Sequence, residues 1–266
     1  MAWIPVVSEW RKLMEKKMKL ARRATALVVR EGKVLAVRDL YGEGSNWGFP
    51  FYDVKNGESE EEVLKRGLLE DFHIQVSVDH HVGNQGLERE DDFLLRRTFI
   101  CTYISGDIPE SFPNRFRWLD RKETFSYLWN EEDEVSICRI RWYLECGDVL
   151  KVRYVGESIP ELTNGKVYQC NMVIDSDMLI ADNSGWEHFY DPTGVFVSVD
   201  GDEDNIQQIG YWEVAVDDKH ESMRKLIDGW IRIERTDGLL FWAPPEFQRK
   251  FNDMMDNLRN GKSDEE

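Results

Sequence analysis

The stretch from Phe49 to Ile74, FPFYDVKNGESEEEVLKRGLLEDFHI, constrains the fold more than any other part of this chain. Ser59 is followed three residues later by Glu62, and this capping-box spacing predicts that a helix begins there. Apolar residues recur at helical spacing and give the helix one side that packs on a core. They are Leu64, Leu68, Leu69 and Phe72. The sequence therefore predicts a short amphipathic helix that follows an acidic turn.

Carboxylates gather around this predicted helix. Glu58 lies in the turn before it, and Glu70 and Asp71 are adjacent near its end. Residues three and four apart share a helix face, so Gly67, Glu70 and Asp71 point the same way, with Arg66 beside them. Converging carboxylates repel one another unless a cation joins them, and a hard divalent cation takes oxygen ligands of this kind. A solvated acidic helix face is the alternative interpretation.

The order of these residues resembles the Nudix box, in which Gly, five residues and Glu precede seven residues and Arg-Glu-aliphatic-x-Glu-Glu-x-Gly-aliphatic. The positions that match are Glu58, Arg66, Leu68, Glu70 and Ile74, with Asp71 as a conservative replacement. Two flanks are also similar to the family, Trp47-Gly48-Phe49-Pro50 before the box and Gly57-Glu58-Ser59 at the helix entry.

Three positions depart from the box. Tyr52 and His73 stand where glycines belong, and Gly67 stands where the family has the Glu after the Arg. The resemblance assigns a metal-binding carboxylate to that last position, so Gly67 removes one ligand. Loss of one stabilising group can cost about 3 kcal/mol in a transition state. Replacement acids from the following loop are candidates to compensate: Glu88, Glu90, Asp91 and Asp92.

The resemblance implies an activity and roles for individual residues. Nudix enzymes use Mg²⁺ or Mn²⁺ to hydrolyse a nucleoside diphosphate linked to another group, because the metal neutralises the pyrophosphate and activates water. The implied catalytic residues are Glu58, Arg66, Glu70 and Asp71, with Glu70, Asp71 and Glu58 as metal ligands and Arg66 holding a carboxylate. The expected substrate contacts are Trp47, Phe49, Phe51 and Tyr52. The alternative is an inactive Nudix-derived module that binds or senses a nucleotide.

The resemblance also implies an α+β fold with an α/β/α sandwich and a mixed sheet over residues 22–147. Residues 148–200 hold short alternating runs separated by turn residues, which predicts a small all-β barrel. LTNGKVYQ and the turn from Asp182 to Gly185 resemble a Src-homology-3-like barrel of bacterial and phage proteins. The exposed aromatics Trp186 and Tyr190 are candidates for peptide recognition, with core packing as the alternative.

The two ends of the chain carry further predicted elements. Residues 1–21 have helical apolar spacing among basic residues, which indicates a helix that packs on its own domain or a partner. Residues 201–266 read as a strand, a short helix, a hairpin and a final amphipathic helix from Pro244 onward. A homodimer or a protein partner, bound through the barrel or the last helix, is left open by this pattern.

Net charge and cysteine usage limit the partners and the compartment. The formal net charge is −17, with 51 acidic residues against 34 basic ones, and such a surface repels nucleic-acid backbones and anionic membranes. A single nucleotide is not excluded by this charge. Four irregularly spaced cysteines indicate neither a zinc site nor a disulfide framework. Without an apolar membrane-spanning run, we expect a cytoplasmic protein.

Overall fold

The structure, a computed structural model, describes residues 19–38, 46–88, 92–109, 115–174, 177–199, 202–215, 221–234 and 240–244. The chain divides into two compact units. The first contains residues up to 119 together with 127–136, and the second contains 120–126 together with the rest. The predicted N-terminal helix over 1–21 lies outside the described residues up to position 18, and its last three residues are strand.

The first unit is built on a seven-stranded mixed sheet. Its strands are β1 Lys19–Arg30, β2 Lys33–Arg38, β3 Trp47–Gly48, β4 Phe51–Asp53, β5 Ile74–Glu88, β6 Asp92–Gly106 and β7 Phe116–Leu119. The main order is β3-β2-β1-β6-β5, with β4 on β1 and β7 on β2. Strands β1 and β6 run parallel, whereas the other pairs are antiparallel. The predicted mixed sheet is confirmed.

Local sequence explains two of these hairpins. The dipeptide Glu31-Gly32 lies between two apolar runs, which predicts a tight turn between two strands. Both residues take positive φ, at 50° and 73°, and the turn joins β1 to β2. Glu88 and Asp92, which were expected to lie in a loop after the helix, instead belong to strands β5 and β6. β5 and β6 pair as far as Glu88 opposite Phe93, because continued pairing satisfies the backbone of both strands.

Helix α1, Glu60–Phe72, covers one face of this sheet. Val63, Leu64, Leu68 and Phe72 on the helix are nearly inaccessible to solvent. They pack with Ala24, Ala26, Val28, Phe99 and Cys101 of β1 and β6. Leu69, predicted to share that apolar side, is 48% exposed and lies outside the core. The amphipathic helix is therefore the layer that fixes the box residues against the sheet.

Residues 123–144 contain no Gly or Pro and are mostly apolar in their second half, which predicts one continuous helix, and this prediction is wrong in its first half. Glu123–Ser126 and Glu131–Asp133 are short 3₁₀ turns, and only α2, Glu134–Cys146, is α-helical. Between the turns, the backbone pairs with Trp47, whose N–H donates to Leu128 and whose carbonyl accepts from Asn130. These tertiary hydrogen bonds occupy groups that a continuous helix would need.

The domain boundary expected near Gly147 also differs from the structure, because α2 groups mainly with the second unit. Arg139 on this helix donates to Glu187 of that unit at 2.7 Å, with both side chains almost fully buried. A buried ion pair of this kind holds the helix to the strand Glu187–Tyr190, since separating two buried charges is costly.

The second unit contains a nearly closed six-stranded antiparallel barrel, which confirms the predicted small barrel. Its strands are β8 Leu150–Gly156, β9 Val167–Ile174, β10 Asp177–Ala181, β11 Glu187–Tyr190, β12 Val195–Val199 and β13 Asp202–Val214. The predicted barrel end at residue 200 is too early. Strand β13 pairs with both β8 and β12, so residues assigned to a separate tail complete the sheet.

Trp212 is the centre of the barrel core and is 2% exposed. The rings of Tyr154, Tyr168 and Tyr190 lie 5.4–6.4 Å from its ring, centroid to centroid. The Tyr190 hydroxyl also donates to buried Asp182 at 2.8 Å. Tyr190 thus contributes to the barrel interior, whereas Trp186 is only partly buried.

The remaining elements follow the predicted order. They are α3, Glu221–Ile227, and a separate hairpin of β14, Ile231–Glu234, with β15, Leu240–Ala243. The predicted final helix after Pro244 lies outside the described residues. Among the described residues, the helices are all too short or too polar to cross a bilayer.

Candidate active site

The helix that carries the box is capped as the sequence predicts. Ser59 Oγ accepts from the Glu62 N–H at 3.2 Å, and the Glu62 carboxylate accepts from the Ser59 N–H at 3.0 Å. At the other end, His73 takes a left-handed conformation with φ 57°, and its N–H donates to the carbonyls of Leu68 and Leu69. A glycine would adopt this conformation at lower cost, which is the backbone reason that the family position favours Gly.

Glu58 and Arg66 are brought together across the helix entrance. Arg66 Nη1 donates to Glu58 Oε1 at 2.7 Å, and the second oxygen of Glu58 accepts from the Lys55 N–H at 3.1 Å. The Arg66 hydrogen bond, followed by that of Lys55, lowers the pKa of Glu58 below its usual value. Arg66 is therefore paired with the carboxylate of Glu58, and its catalytic role stays a prediction.

Tyr52 fills the space beside Gly67. A Cβ atom built on Gly67 would lie 2.3–2.5 Å from three ring atoms of Tyr52, a distance that no real contact allows. Tyr52 reaches this position because β4 pairs with β1, which places it opposite Ala24 and above the helix. The two largest departures from the box are thus in contact, and the ring occupies the place where the family Glu would begin.

The two acids that remain on the helix are exposed. Glu70 and Asp71 both face solvent, and across the described residues the structure gathers no group of three His, Cys, Asp or Glu side chains that could hold a metal. Because Gly67 supplies no carboxylate and Tyr52 fills the space above it, the box lacks a metal-binding acid at this position, and Glu58, Glu70 and Asp71 are the acids that would be left to hold magnesium or manganese.

The compensating acids expected after β5 give no further ligand in the described part of the chain. Asp92 is partly buried at the start of β6. Glu90, Asp91 and the side chain of Glu88 lie outside the described residues. Their predicted role in supplying a base or a ligand stays a prediction.

The aromatic residues expected to contact substrate are placed in two environments. Trp47 and Phe49 are buried, at 8% and 1% exposure, and pack on Tyr127 and Trp129 with ring centroids 5.1 and 5.0 Å apart. Their rings therefore contribute to the interior of the first unit rather than to its surface. Phe51 is partly exposed and lies 4.0 Å beneath the Arg23 guanidinium.

Three arginines surround the helix entrance. Arg22 donates to the carbonyls of Lys55 and Glu58 at 3.3 and 3.2 Å. Arg22 and Arg97 both approach the Glu60 carboxylate, at 3.6 and 3.1 Å, and each side chain is 33% exposed. With Arg66, they supply positive charge next to the box turn from side chains rather than from a metal ion. Sequence analysis did not single out Arg22 or Arg97, because they come from strands far from the box.

A buried charged network was also missed. Arg96 is 1% exposed and donates to Asp133 and to Thr25 Oγ1, the latter at 2.7 Å. Burial raises the pKa of Asp133, against the opposing effect of the Arg96 charge. A signal for Arg96 was present, because two adjacent arginines in an apolar strand face opposite sides and one of them must point inward.

Comparison with known proteins gives one informative relative. No protein-family model matches the chain. Oxidized purine nucleoside triphosphate hydrolase of Danio rerio is 31% identical over 110 residues, which cover 40% of this chain and 70% of that protein. Among solved structures, the E. coli ORF135 protein is 20% identical with a TM-score of 0.42, covering 50% of this chain and 94% of that one.

A second solved structure of the same kind is a NUDIX hydrolase from Nitrosomonas europaea. It is 18% identical with a TM-score of 0.39, covering 46% of this chain and 88% of that one. The curated relative, together with the box that spans Tyr52 to Ile74, carries the assignment: the chain belongs to the Nudix hydrolase superfamily.

Proposed function

We propose that the first unit is a Nudix-derived module that binds a nucleotide through its diphosphate and has lost efficient hydrolysis. The observation that carries this proposal is the contact between Tyr52 and Gly67. The position that would supply a metal-binding carboxylate has no side chain, and a neighbouring ring fills the space. The module therefore lacks one of the carboxylates that would hold the metal ion, and that metal ion is what activates the attacking water.

Charge near the box turn supports binding without turnover. Arg22, Arg66 and Arg97 lie around the turn and the first residues of α1, where an anionic diphosphate would approach the helix N-terminus. Glu58, Glu60 and Glu62 balance these three charges, so a diphosphate would have to displace carboxylates from the guanidinium groups. Guanidinium groups bind phosphate oxygens in pairs, so they suit this ligand class.

The test combines binding with turnover on the full chain. Titration calorimetry with ADP, ATP and UDP-glucose, in magnesium and in EDTA, is expected to show binding that changes by less than about threefold when the metal is removed. Product release from the same compounds should stay at the uncatalysed rate. Arg66→Gln is expected to weaken binding about tenfold, and Lys65→Gln, which removes an exposed charge on the same helix, should change it little.

Metal-dependent hydrolysis of a nucleoside diphosphate linked to another group is the second candidate. It is favoured by the retained Glu58–Arg66 hydrogen bond and by a relative that is named a hydrolase. In this case Glu58, Glu70 and Asp71 would hold Mg²⁺ or Mn²⁺ during turnover. Product release that requires the metal and is lost in both Glu70→Gln and Asp71→Asn would establish this candidate and overturn the binding module.

We also propose that the barrel binds a second copy of this chain. Phe196 and Ile206 are exposed at 44% and 60% on the neighbouring strands β12 and β13. Two exposed apolar side chains on adjacent strands offer a small docking surface. Alanine substitutions at both positions would test it by their effect on the oligomeric state measured in sedimentation experiments.

A further inference from the structure

A cavity of about 200 Å³ lies in the first unit, where β1, β5, β6 and β7 come together. Its lining combines aromatic and apolar side chains with one basic and one acidic side chain, and it is open to solvent on one side. The lining residues that matter here are Arg30, Tyr103, Asp107, Ile108, Phe116 and Trp118. The cavity is smaller than the usual site for a drug-sized molecule, so it suits only a small ligand.

The side chains of the cavity form a partial aromatic cage around a guanidinium. The Arg30 guanidinium lies 4.5 Å from the Tyr103 ring centroid and 5.9 Å from that of Trp118. The two rings meet edge to face, with centroids 6.1 Å apart and an interplanar angle of 84°. Tyr103 is held in place because its hydroxyl donates to the Gly106 carbonyl. The cationic group is therefore positioned before any ligand arrives.

Arg30 differs from the other arginines of this sheet that stack on aromatic rings. Arg23 lies over Phe51 but donates to Asp53 at 2.9 Å, and Arg97 lies over Phe99 but donates to Glu60 at 3.1 Å. Over the residues that the structure describes, Arg30 makes its ring contacts without an ion pair or a hydrogen bond to a carboxylate. Its N–H groups remain available to an anion.

The cavity shares Ile74, the last residue of the box, but Tyr52, Gly67 and the charged residues of the box do not line it. Tyr52 pairs with Ala24 on β1, and Arg30 lies six residues further along that strand. At the rise per residue of an extended strand, Ala24 and Arg30 lie about 20 Å apart along β1. A ligand in the cavity would not reach Gly67 or Arg66, so its binding does not depend on the function proposed for the box.

We propose that this cavity is a second ligand site, which binds a small flat aromatic ring carrying a carboxylate or a phosphate. The anionic group pairs with Arg30, which offers two parallel N–H donors to two oxygens. The ring packs against Trp118 and Phe116, where an edge-to-face or offset arrangement is favourable. Asp107, on the same wall, accepts a hydrogen bond from an N–H or O–H group of the ligand.

Four probes separate the parts of this proposal by titration calorimetry on the full chain. AMP carries a ring and a phosphate, and indole-3-carboxylate carries a ring and a carboxylate. Adenosine has the ring without the anion, and inorganic phosphate has the anion without a ring. At least one of the first two is expected to bind at least about tenfold more tightly than both of the last two. Which one binds more tightly identifies the anionic group.

Variants locate the binding. Arg30→Gln is expected to weaken the tighter probe at least about tenfold. Lys33→Gln removes the same charge from the register partner of Arg30, but Lys33 does not line the cavity, so binding should be unchanged. Arg66→Gln alters the box and should leave this binding intact. If Arg66→Gln abolished binding while Arg30→Gln did not, the probe would occupy the box and the cavity site would be overturned.

Other outcomes also contradict the proposal. Equal affinity for adenosine and AMP would remove the role of the anion, and equal affinity for phosphate and AMP would remove the role of the ring. Absence of heat from all four probes, confirmed by saturation-transfer NMR on the same samples, would show that the cavity takes no ligand of this class. Circular dichroism checks that the Arg30→Gln variant is folded, so that weaker binding is not caused by unfolding.

Discussion

Arg96 and Asp133 form an ion pair inside the first unit, where their side chains are 2% and 5% exposed. Gly48 makes room for this pair, because a Cβ at that position would lie 2.6 Å from an Asp133 oxygen. The pair joins β6 to the 3₁₀ turn Glu131–Asp133, so a polar contact takes the place of apolar packing there. Two charges have been taken out of water to build it.

Breaking this pair should destabilise the protein more than replacing it. Asp133→Ala leaves the Arg96 charge buried without its partner, and we expect a loss of about 3–5 kcal/mol in the free energy of unfolding. The double variant Arg96→Met/Asp133→Leu should lose much less, because no charge remains buried. Chemical denaturation monitored by fluorescence measures both values. Equal losses in the two variants would show that charge burial is not the cause.

Because Tyr52 contacts Gly67, we expect the Gly67→Ala substitution to destabilise the protein, although the same substitution stabilises an isolated helix. In an isolated helix, Gly→Ala stabilises by about 1 kcal/mol, since alanine restricts the unfolded chain. In this protein, Gly67→Ala should instead cost about 1–3 kcal/mol, because the new methyl group meets the Tyr52 ring. In a Tyr52→Ala background the same change should stabilise. A full double-mutant cycle in urea gives the coupling energy, and additive effects would contradict the contact.

Hydrolysis should be recovered only by changing both positions. Gly67→Glu alone places a carboxylate against the Tyr52 ring, so we expect no turnover of nucleoside triphosphates in magnesium. Tyr52→Gly/Gly67→Glu frees the space, and product release should rise at least about hundredfold above the unmodified chain. Tyr52→Gly/Gly67→Gln is the matched control, since it has the same shape without the charge. Turnover in that control would mean that the carboxylate is not the missing group.

Acid should weaken the second unit through Asp182. Burial alone would raise the pKa of Asp182, but hydrogen bonds from Ser184, His188 and Tyr190 outweigh burial and hold the pKa below its usual value. A carboxyl group whose pKa is lower in the folded state adds stability above its unfolded pKa of about 3.9. That stability is lost as the pH falls through the folded pKa.

Asp182→Asn removes this dependence. We expect the variant to lose about 1–3 kcal/mol at pH 7, where the ionised carboxylate is the better acceptor, and to lose less than the unmodified chain between pH 5 and pH 2. Thermal unfolding over this pH range measures both effects, with Glu157→Gln as an exposed control on the same barrel. Parallel melting curves for Asp182→Asn and the unmodified chain would contradict this origin of the acid sensitivity.

Local signals in the sequence were enough to predict much of the fold. Glu31-Gly32 specifies a tight turn, Ser59 and Glu62 specify a helix start, and each of these effects acts within a few residues. The helix predicted across Trp129 failed for the opposite reason. The backbone there bonds to Trp47, more than eighty residues earlier in the chain, and periodicity carries no information about such a partner.

The spacing of residues in the sequence was enough to locate the box, but it was not enough to predict how the side chains of the box are arranged. The sequence shows that a glycine and a carboxylate are absent at positions 52 and 67. It does not show that the side chain gained at one position fills the space left at the other, because that depends on the register between β1 and β4. The cavity beside Arg30 could not be predicted from the sequence either, since its walls come from four separate strands.

The mutual accommodation of residues 52 and 67 has an evolutionary consequence. Each substitution makes reversal of the other unfavourable, since restoring the acid meets an aromatic ring and removing the ring alone opens a void beside the helix. A lineage that has acquired both changes can return to the ancestral centre only through an intermediate that is less stable. Other positions can therefore change freely, whereas Tyr52 and Gly67 are expected to persist together.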